Sequence, residues 1–212
     1  MTTIAWAVAA AVWSATMLTV TPSTDTPNAG DDRSAAAELM LAPESQLRVE
    51  GTSTVRGFSC EAKEINGAIQ ADPEASSVDI ARLGTIVRGV AVEIPVGSLD
   101  CGNGTMNDHM RKALQAKDHP TIVFRVVSHK VTVAEDGKAA VDMEGDLTIA
   151  GTTKRINVSA TAASGAGGVI QVTGSKELNM KEYGVNPPKL MMGAMKVNEN
   201  VVIHFDMALR QR

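Results

Sequence analysis

The side chains that could carry chemistry in this 212-residue chain are its four histidines, a group of aspartates and its two cysteines. A protein zinc site needs imidazoles or thiolates that converge, as in H-x-x-x-H with an acidic partner. His109, His119, His129 and His204 have no such spacing, so no metal site is expected. His129 and His204 fall on the polar side of alternating segments, which predicts solvated or structural imidazoles. Asp100, Asp108 and Asp118 surround one helical stretch and could pair for general acid–base work. Helix capping and surface solvation account for them as well. No G-x-S-x-G elbow is present, and Gly102-Asn103-Gly104 lacks the following glycine and the βαβ setting of a dinucleotide loop. These residues imply no catalytic centre and no cofactor, and the expected class is a binding protein rather than an enzyme.

Cys60 and Cys101 leave two readings open. In an exported domain they would form a disulfide, contributing roughly 4 kcal/mol for a loop of that length in the chain-entropy model. Otherwise they are inert buried thiols, since neither a CxxC pair nor a lipid-attachment pattern occurs. Export is suggested by Ile4 to Val20, an uncharged and mostly apolar run followed by a stretch rich in Pro, Ser, Thr, Asp, Asn and Gly. Residues 1–30 are therefore read as an export signal or an amino-terminal anchor, residues 31–44 as a linker and residues 45–212 as the folded domain. The expected location is periplasmic or secreted, with the membrane approached through residues 4–20. Both tryptophans, Trp6 and Trp13, lie in this leader, so the domain keeps only Phe58, Phe124, Tyr183 and Phe205 as aromatic residues.

With 44% hydrophobic and 21% charged residues, the chain has the composition of an ordinary globular protein. Its net charge of -4 and its 3% aromatic content supply neither the basic field nor the stacking platforms that nucleic-acid binding uses. Nucleic acid is excluded as an expected partner.

The elements that must position these residues are strands. In Met143 to Ala160, Met143, Gly145, Leu147 and Ile149 alternate with Glu144, Asp146 and Thr148. After a turn at Gly151-Thr152-Thr153, Ile156, Val158 and Ala160 alternate with Arg155, Asn157 and Ser159. Period-two alternation describes a sheet dry on one side and wet on the other. The same pattern recurs from Leu47 to Val55, from Val90 to Val96, through Ile122, Phe124 and Val126, at Ile170 and Val172, and from Val201 to Met207. Residues 72–88 carry Pro73, a Ser pair and Gly84 and read as a loop with at most one short element. One helix is expected over about residues 105–116, opened by a capping box at Thr105-Met106-Asn107-Asp108. Its Met106, Met110, Ala113 and Leu114 recur at helical spacing, which predicts a helix that plugs or braces the sheet.

About eight antiparallel strands, short turns, one short helix and no βαβ rhythm predict an all-β fold, a closed barrel rather than a sandwich. Glycines within the strands at 51, 67, 89, 145 and 174 favour the strong curvature of a barrel. The dry faces then point into its lumen. The lumen candidates are Val90, Val92, Ile94, Ile122, Phe124, Val126, Met143, Leu147, Ile149, Ile156, Val158, Ile170, Val172, Ile203, Phe205 and Met207. These side chains, nearly all aliphatic, suit a prenyl or acyl chain, and an eight-stranded barrel either fills with side chains or holds one small ligand.

The chain also resembles the YceI-like family, from about Leu47 to Arg210. The likeness rests on Val49-Glu50-Gly51-Thr52-Ser53-Thr54-Val55-Arg56 in the first strand, then Ile94-Pro95-Val96 through Leu99-Asp100-Cys101-Gly102-Asn103. It continues through His119-Pro120-Thr121-Ile122-Val123-Phe124 and Gly145-Asp146-Leu147-Thr148-Ile149-Ala150-Gly151-Thr152-Thr153, and ends at Tyr183-Gly184-Val185. Tyr183 stands where phenylalanine is common, the first strand lacks the histidine many members carry, and the cysteine pair belongs to only some members. The resemblance implies an eight-stranded, extended lipocalin-like barrel that binds polyisoprenoid or other long amphiphilic lipids in its interior. A ligand-free envelope protein acting through the loops at the barrel ends, in protein interaction or stress response, is the alternative. The methionine-rich segment Asn186 to Met195 reads either as a lid over a lipid pocket or as packing under the barrel.

Overall fold

The computed structural model describes residues 39–72, 79–187, 189–190 and 195–211. The expected leader and half of the methionine-rich segment, residues 188 and 191–194, lie outside them. The first half of the chain forms β1 (Leu39–Leu41), β2 (Gln46–Ser53), β3 (Gly57–Ala62), β4 (Asn66–Ala71), α1 (Leu83–Ile86), β5 (Val87–Pro95), β6 (Leu99–Asp100) and α2 (Gly104–Ala113). The second half forms β7 (Thr121–Val133), β8 (Ala139–Ile149), β9 (Thr152–Ser164), β10 (Ile170–Asn179), β11 (Lys189–Leu190) and β12 (Met195–Gln211). β1 lies within the stretch expected to be linker; three residues are too few for alternation to register in a sequence.

All the strand pairings are antiparallel, and they close on themselves in the order β1, β4, β5, β7, β8, β9, β10, β12 and back to β1. β2 lies end to end with β1 along one edge of β12, with Leu47 opposite Phe205 and Leu41 opposite Leu209. β3 pairs with β2 and β6 as β4 pairs with β1 and β5. β1/β2, β3/β4 and β5/β6 are thus three strands each broken midway, and the whole is a closed eight-stranded antiparallel barrel. Closure removes the exposed sheet edges that would otherwise invite pairing with other chains.

The hairpin of β8 and β9 turns at Ala150-Gly151, slightly earlier than the alternation suggested, with Ile149 opposite Thr152. Both turn residues have positive φ, 47° and 78°, the geometry that matches a two-residue turn to the twist of its strands. Two of the strand glycines make room for rings. A Cβ at Gly145 would lie 2.5 Å from Phe124 and one at Gly174 2.5 Å from Phe205. Curvature and aromatic packing therefore share the same positions.

The two barrel ends are closed differently. One is filled by a short 3-10 turn at Ile80–Arg82 and by α1, which bury Ile80, Leu83 and Ile86. This floor comes from the stretch that reads as loop in the sequence. At the other end lies α2, capped not by Thr105 but by Asn103, whose side chain accepts from the Met106 N–H at 3.0 Å. Asparagine ranks above threonine as a cap, so the helix starts earlier than expected and also ends earlier, at Ala113. None of its residues is buried; it leans over the barrel mouth instead of plugging the interior. Cys60 and Cys101 form a disulfide that ties β3 to the segment leading into α2.

The buried residues fall into three clusters, at the α1 end, at the turn following β10 (Met180–Tyr183), and around Leu47, Ile94, Leu99 and Met207. A domain of this size usually has one contiguous core. Here half-buried side chains bridge the clusters, Leu41, Val172 and Phe205 between the first and third and Val49, Ile122 and Ile203 between the second and third, and these side chains surround a hollow.

Candidate functional site: the barrel cavity

An inner cavity of about 210 Å³ occupies the barrel. All the lumen candidates read from the sequence line it except Ile170, which is buried in the cluster at the α1 end. The floor of the cavity includes Leu83 and Val87, and Leu41 and Leu47 complete the wall. A second cavity of about 330 Å³ lies beneath α2, bordered by Met106, Met110, Ala113 and Leu114 of the helix region and by Phe58, Tyr183 and Val185 opposite. The two cavities share Val49, Leu99, Ile122, Ile149, Leu178 and Ile203 as lining and so adjoin. The methionines of α2 therefore cover a space, where flexible thioethers make an adaptable apolar wall.

The polar residues of the site are few. His129 has polar parity in the sequence, but its ring lines the inner cavity, and its Nε2 is buried without a hydrogen-bond partner among the described residues. The cause is a bulge in β7. Val126 pairs with Gly145 but Ser128 with Glu144, leaving Val127 unpaired and 54% exposed. One extra residue inverts the parity of everything after it. Val131 is carried inward with His129.

Lys176 also lines the inner cavity. It shares the inward parity of Ile170, Val172, Gly174 and Leu178 on β10, while Gln171, Thr173, Ser175 and Glu177 take the other face. That alternation was available in the sequence and would have found it. In the outer cavity, the Tyr183 hydroxyl is buried without a partner among the described residues, and burial, followed by the neighbouring Glu182 carboxylate, pushes its phenol up. Arg56, Asn103, Thr105 and His109 complete the polar rim there.

The other candidate groups are dispersed. His204 Nε2 lies 3.3 Å from Glu50 on the outer surface, and His119 packs against the turn at Gly151. Asp108 faces Arg111 at 3.5 Å, while Asp100 accepts from Asn107 Nδ2 and from the Gly102 N–H, both at 2.9 Å. These partners, Asn107 first, hold the Asp100 carboxyl below its usual range. Among the described residues no three His, Cys, Asp or Glu side chains converge, and no helix is long and apolar enough to cross a membrane.

A closed antiparallel barrel with a dry interior and a helix over one mouth defines a lipocalin-like architecture. The chain belongs to the YceI-like domain family, whose profile matches residues 40–209. No curated protein sequence matches it. Among solved structures, it is similar to a polyisoprenoid binding domain from Saccharophagus degradans implicated in plant cell wall breakdown, with a TM-score of 0.64 at 14% identity over 83% of this chain and 99% of that one. Burkholderia cenocepacia BcnA matches with a TM-score of 0.60 at 19% identity, covering 77% of this chain and 95% of its own. The Campylobacter jejuni YCEI protein matches with a TM-score of 0.51 at 18% identity, covering 72% and 84%.

Proposed function

We propose that this protein is a non-catalytic binder of a long amphiphilic lipid, polyisoprenoid-like, whose chain occupies the barrel interior. The observation that carries this reading is the hollow between the three buried clusters, walled by aliphatic side chains and adjoining a second cavity with a polar rim. An apolar void has no favourable occupant in water, whereas each methylene it takes from water contributes roughly 0.8 kcal/mol. For a chain of about forty carbons that gain exceeds the practical limit of non-covalent affinity. Chain ordering and extraction from a membrane offset the excess.

The structurally similar domain from Saccharophagus degradans is described as polyisoprenoid binding, which supports the ligand class. We place the protein in the cell envelope, with residues 1–30 as an export signal or anchor leading into the barrel domain. The Cys60–Cys101 bond supports this placement, because structural disulfides persist in oxidising compartments. The test is native mass spectrometry with organic extraction of the protein isolated from its own source. A co-purifying lipid at about one per chain is expected. A barrel that is ligand-free from its own membrane-rich source and binds no added prenyl or acyl lipid removes this reading.

A further inference from the structure

The side chains that border the two cavities are one-sided in the charge they can carry. Lys176, through its methylene stem, and His129 line the inner one, and Arg56 and His109 the outer one, while among the described residues no Asp or Glu lines either. This holds in a chain whose net charge is -4. Among the described residues no ion pair holds Lys176 or Arg56, although acidic partners engage Arg48, Lys63, Arg88, Arg125, Lys154, Arg155 and Lys181. Among the described residues carboxylates thus pair with cations elsewhere in the fold but line neither cavity.

Lys176 has a defined place. It stands opposite Ile203, which stands opposite Val49. Ile203, Val49 and the next inward residue of β10, Leu178, line both cavities. Lys176 is therefore at the neck where the inner chamber meets the outer one. It is half-buried on the inward face of its strand and held by no ion pair among the described residues, so its ammonium lacks the pairing that cations beside an apolar interior normally have.

We propose that the ligand is an anionic amphiphile, an acyl or prenyl chain ending in a carboxylate or phosphate, and that Lys176 receives its acid group at the neck. The proposal rests on the lipid-binding reading above and narrows it. An acid group there would gain a charge-assisted hydrogen bond in a dry environment, and its chain would extend into the aliphatic chamber. A neutral alcohol of the same chain would gain only the apolar contacts.

The test is to measure dissociation constants of the delipidated full chain for oleate, oleyl alcohol, farnesyl phosphate and farnesol. At least one acid is expected to bind about ten-fold more tightly than its matched alcohol, equivalent to about 1.4 kcal/mol; which acid does so separates carboxylate from phosphate recognition. Lys176→Met should bring acid and alcohol to within about two-fold of each other without weakening the alcohol, and Lys176→Arg should preserve the preference. Lys176→Gln serves if the methionine variant does not fold. Equal binding of acids and alcohols by the unaltered protein overturns the proposal while leaving the lipid-binding reading intact. A preference that survives Lys176→Met, or that is lost in Arg56→Gln instead, overturns the assignment to Lys176. Failure of all four probes to bind overturns the proposal, and joined to the absence of a co-purifying lipid it removes the lipid-binding reading as well.

Discussion

A buried imidazole nitrogen without a partner costs stability, because the hydrogen bond it had with water is not replaced. His129 Nε2 is in that position, and so is the Tyr183 hydroxyl. Both residues line cavities, His129 deep in the barrel and Tyr183 beneath α2. Removing a polar group that has no partner removes its desolvation penalty, whereas removing one member of a satisfied pair leaves the other stranded. His129→Leu and Tyr183→Phe are therefore each expected to leave the ligand-free protein as stable as before, or to raise its unfolding free energy by about 1 kcal/mol. Urea denaturation of the two variants beside the parent checks this, and a loss of more than about 1 kcal/mol would mean that these atoms have partners in solution. Gly145 has the opposite character. Its space is taken by the Phe124 ring and the Arg125 carbonyl oxygen, the latter 2.7 Å from where a Cβ would stand. The ring could turn aside, but the backbone oxygen cannot. Gly145→Ala should destabilise by about 1–3 kcal/mol in the same measurement, the usual range for overpacking.

Among the elements, α2 is held by a short network that a pH titration can read. Asn103 caps the helix, Asn107 Oδ1 accepts from the Cys101 N–H at 2.8 Å, and Asn107 Nδ2 donates to Asp100. The Asp100 carboxyl is lowered in the folded protein, chiefly by Asn107 and then by the Gly102 N–H. A lowered carboxyl stabilises the fold above its unfolded value, about 3.9 for Asp, and that contribution is lost as pH falls through the lower folded value. Asp100→Ala should thus lower the thermal midpoint at neutral pH, and the gap to the parent should close as the pH is taken below about 3.9. A gap independent of pH would exclude the charged form of Asp100 as its source. The same region marks the limits of reading a fold from sequence. β2, β8, β9 and β12 are legible because period two survives in the order of residue types. The Asn103 cap is masked by a second plausible cap at Thr105. The floor at Ile80–Ile86 is masked because one turn of helix is too short to display a period. The bulge at Val127 leaves no compositional mark, and so the inward turn of His129 could not be read. Lys176 was legible by parity, but a single charge in an apolar row is easily taken for a surface residue.

At the scale of the molecule the deciding property is whether the barrel is hollow or filled, which alternation alone cannot distinguish because both states need the same inward residues. The structure provides a matched pair of valines that can. Val92 pairs with Phe124 between β5 and β7 and faces the inner cavity. Val96 follows on the same stretch of chain but is 1% exposed and lines neither cavity. A tryptophan at Val92 enters space that is empty in the ligand-free protein, whereas one at Val96 must displace packed neighbours. Val92→Trp is therefore expected to change the unfolding free energy by less than about 1 kcal/mol, while Val96→Trp should cost about 3 kcal/mol, the upper part of the overpacking range. Because Trp6 and Trp13 are the only tryptophans in the chain, the new indole in a version in which both are replaced reports alone, with blue-shifted emission if it sits in the lumen. It should also exclude the chain of a bound lipid, lowering affinity at least about ten-fold, or about 1.4 kcal/mol. Equal destabilisation at the two positions would identify a filled core, and unchanged lipid affinity in the Val92 variant would place the lipid elsewhere. The combination expected here, little loss of stability with large loss of binding, arises only where the space a side chain fills is the space a ligand uses.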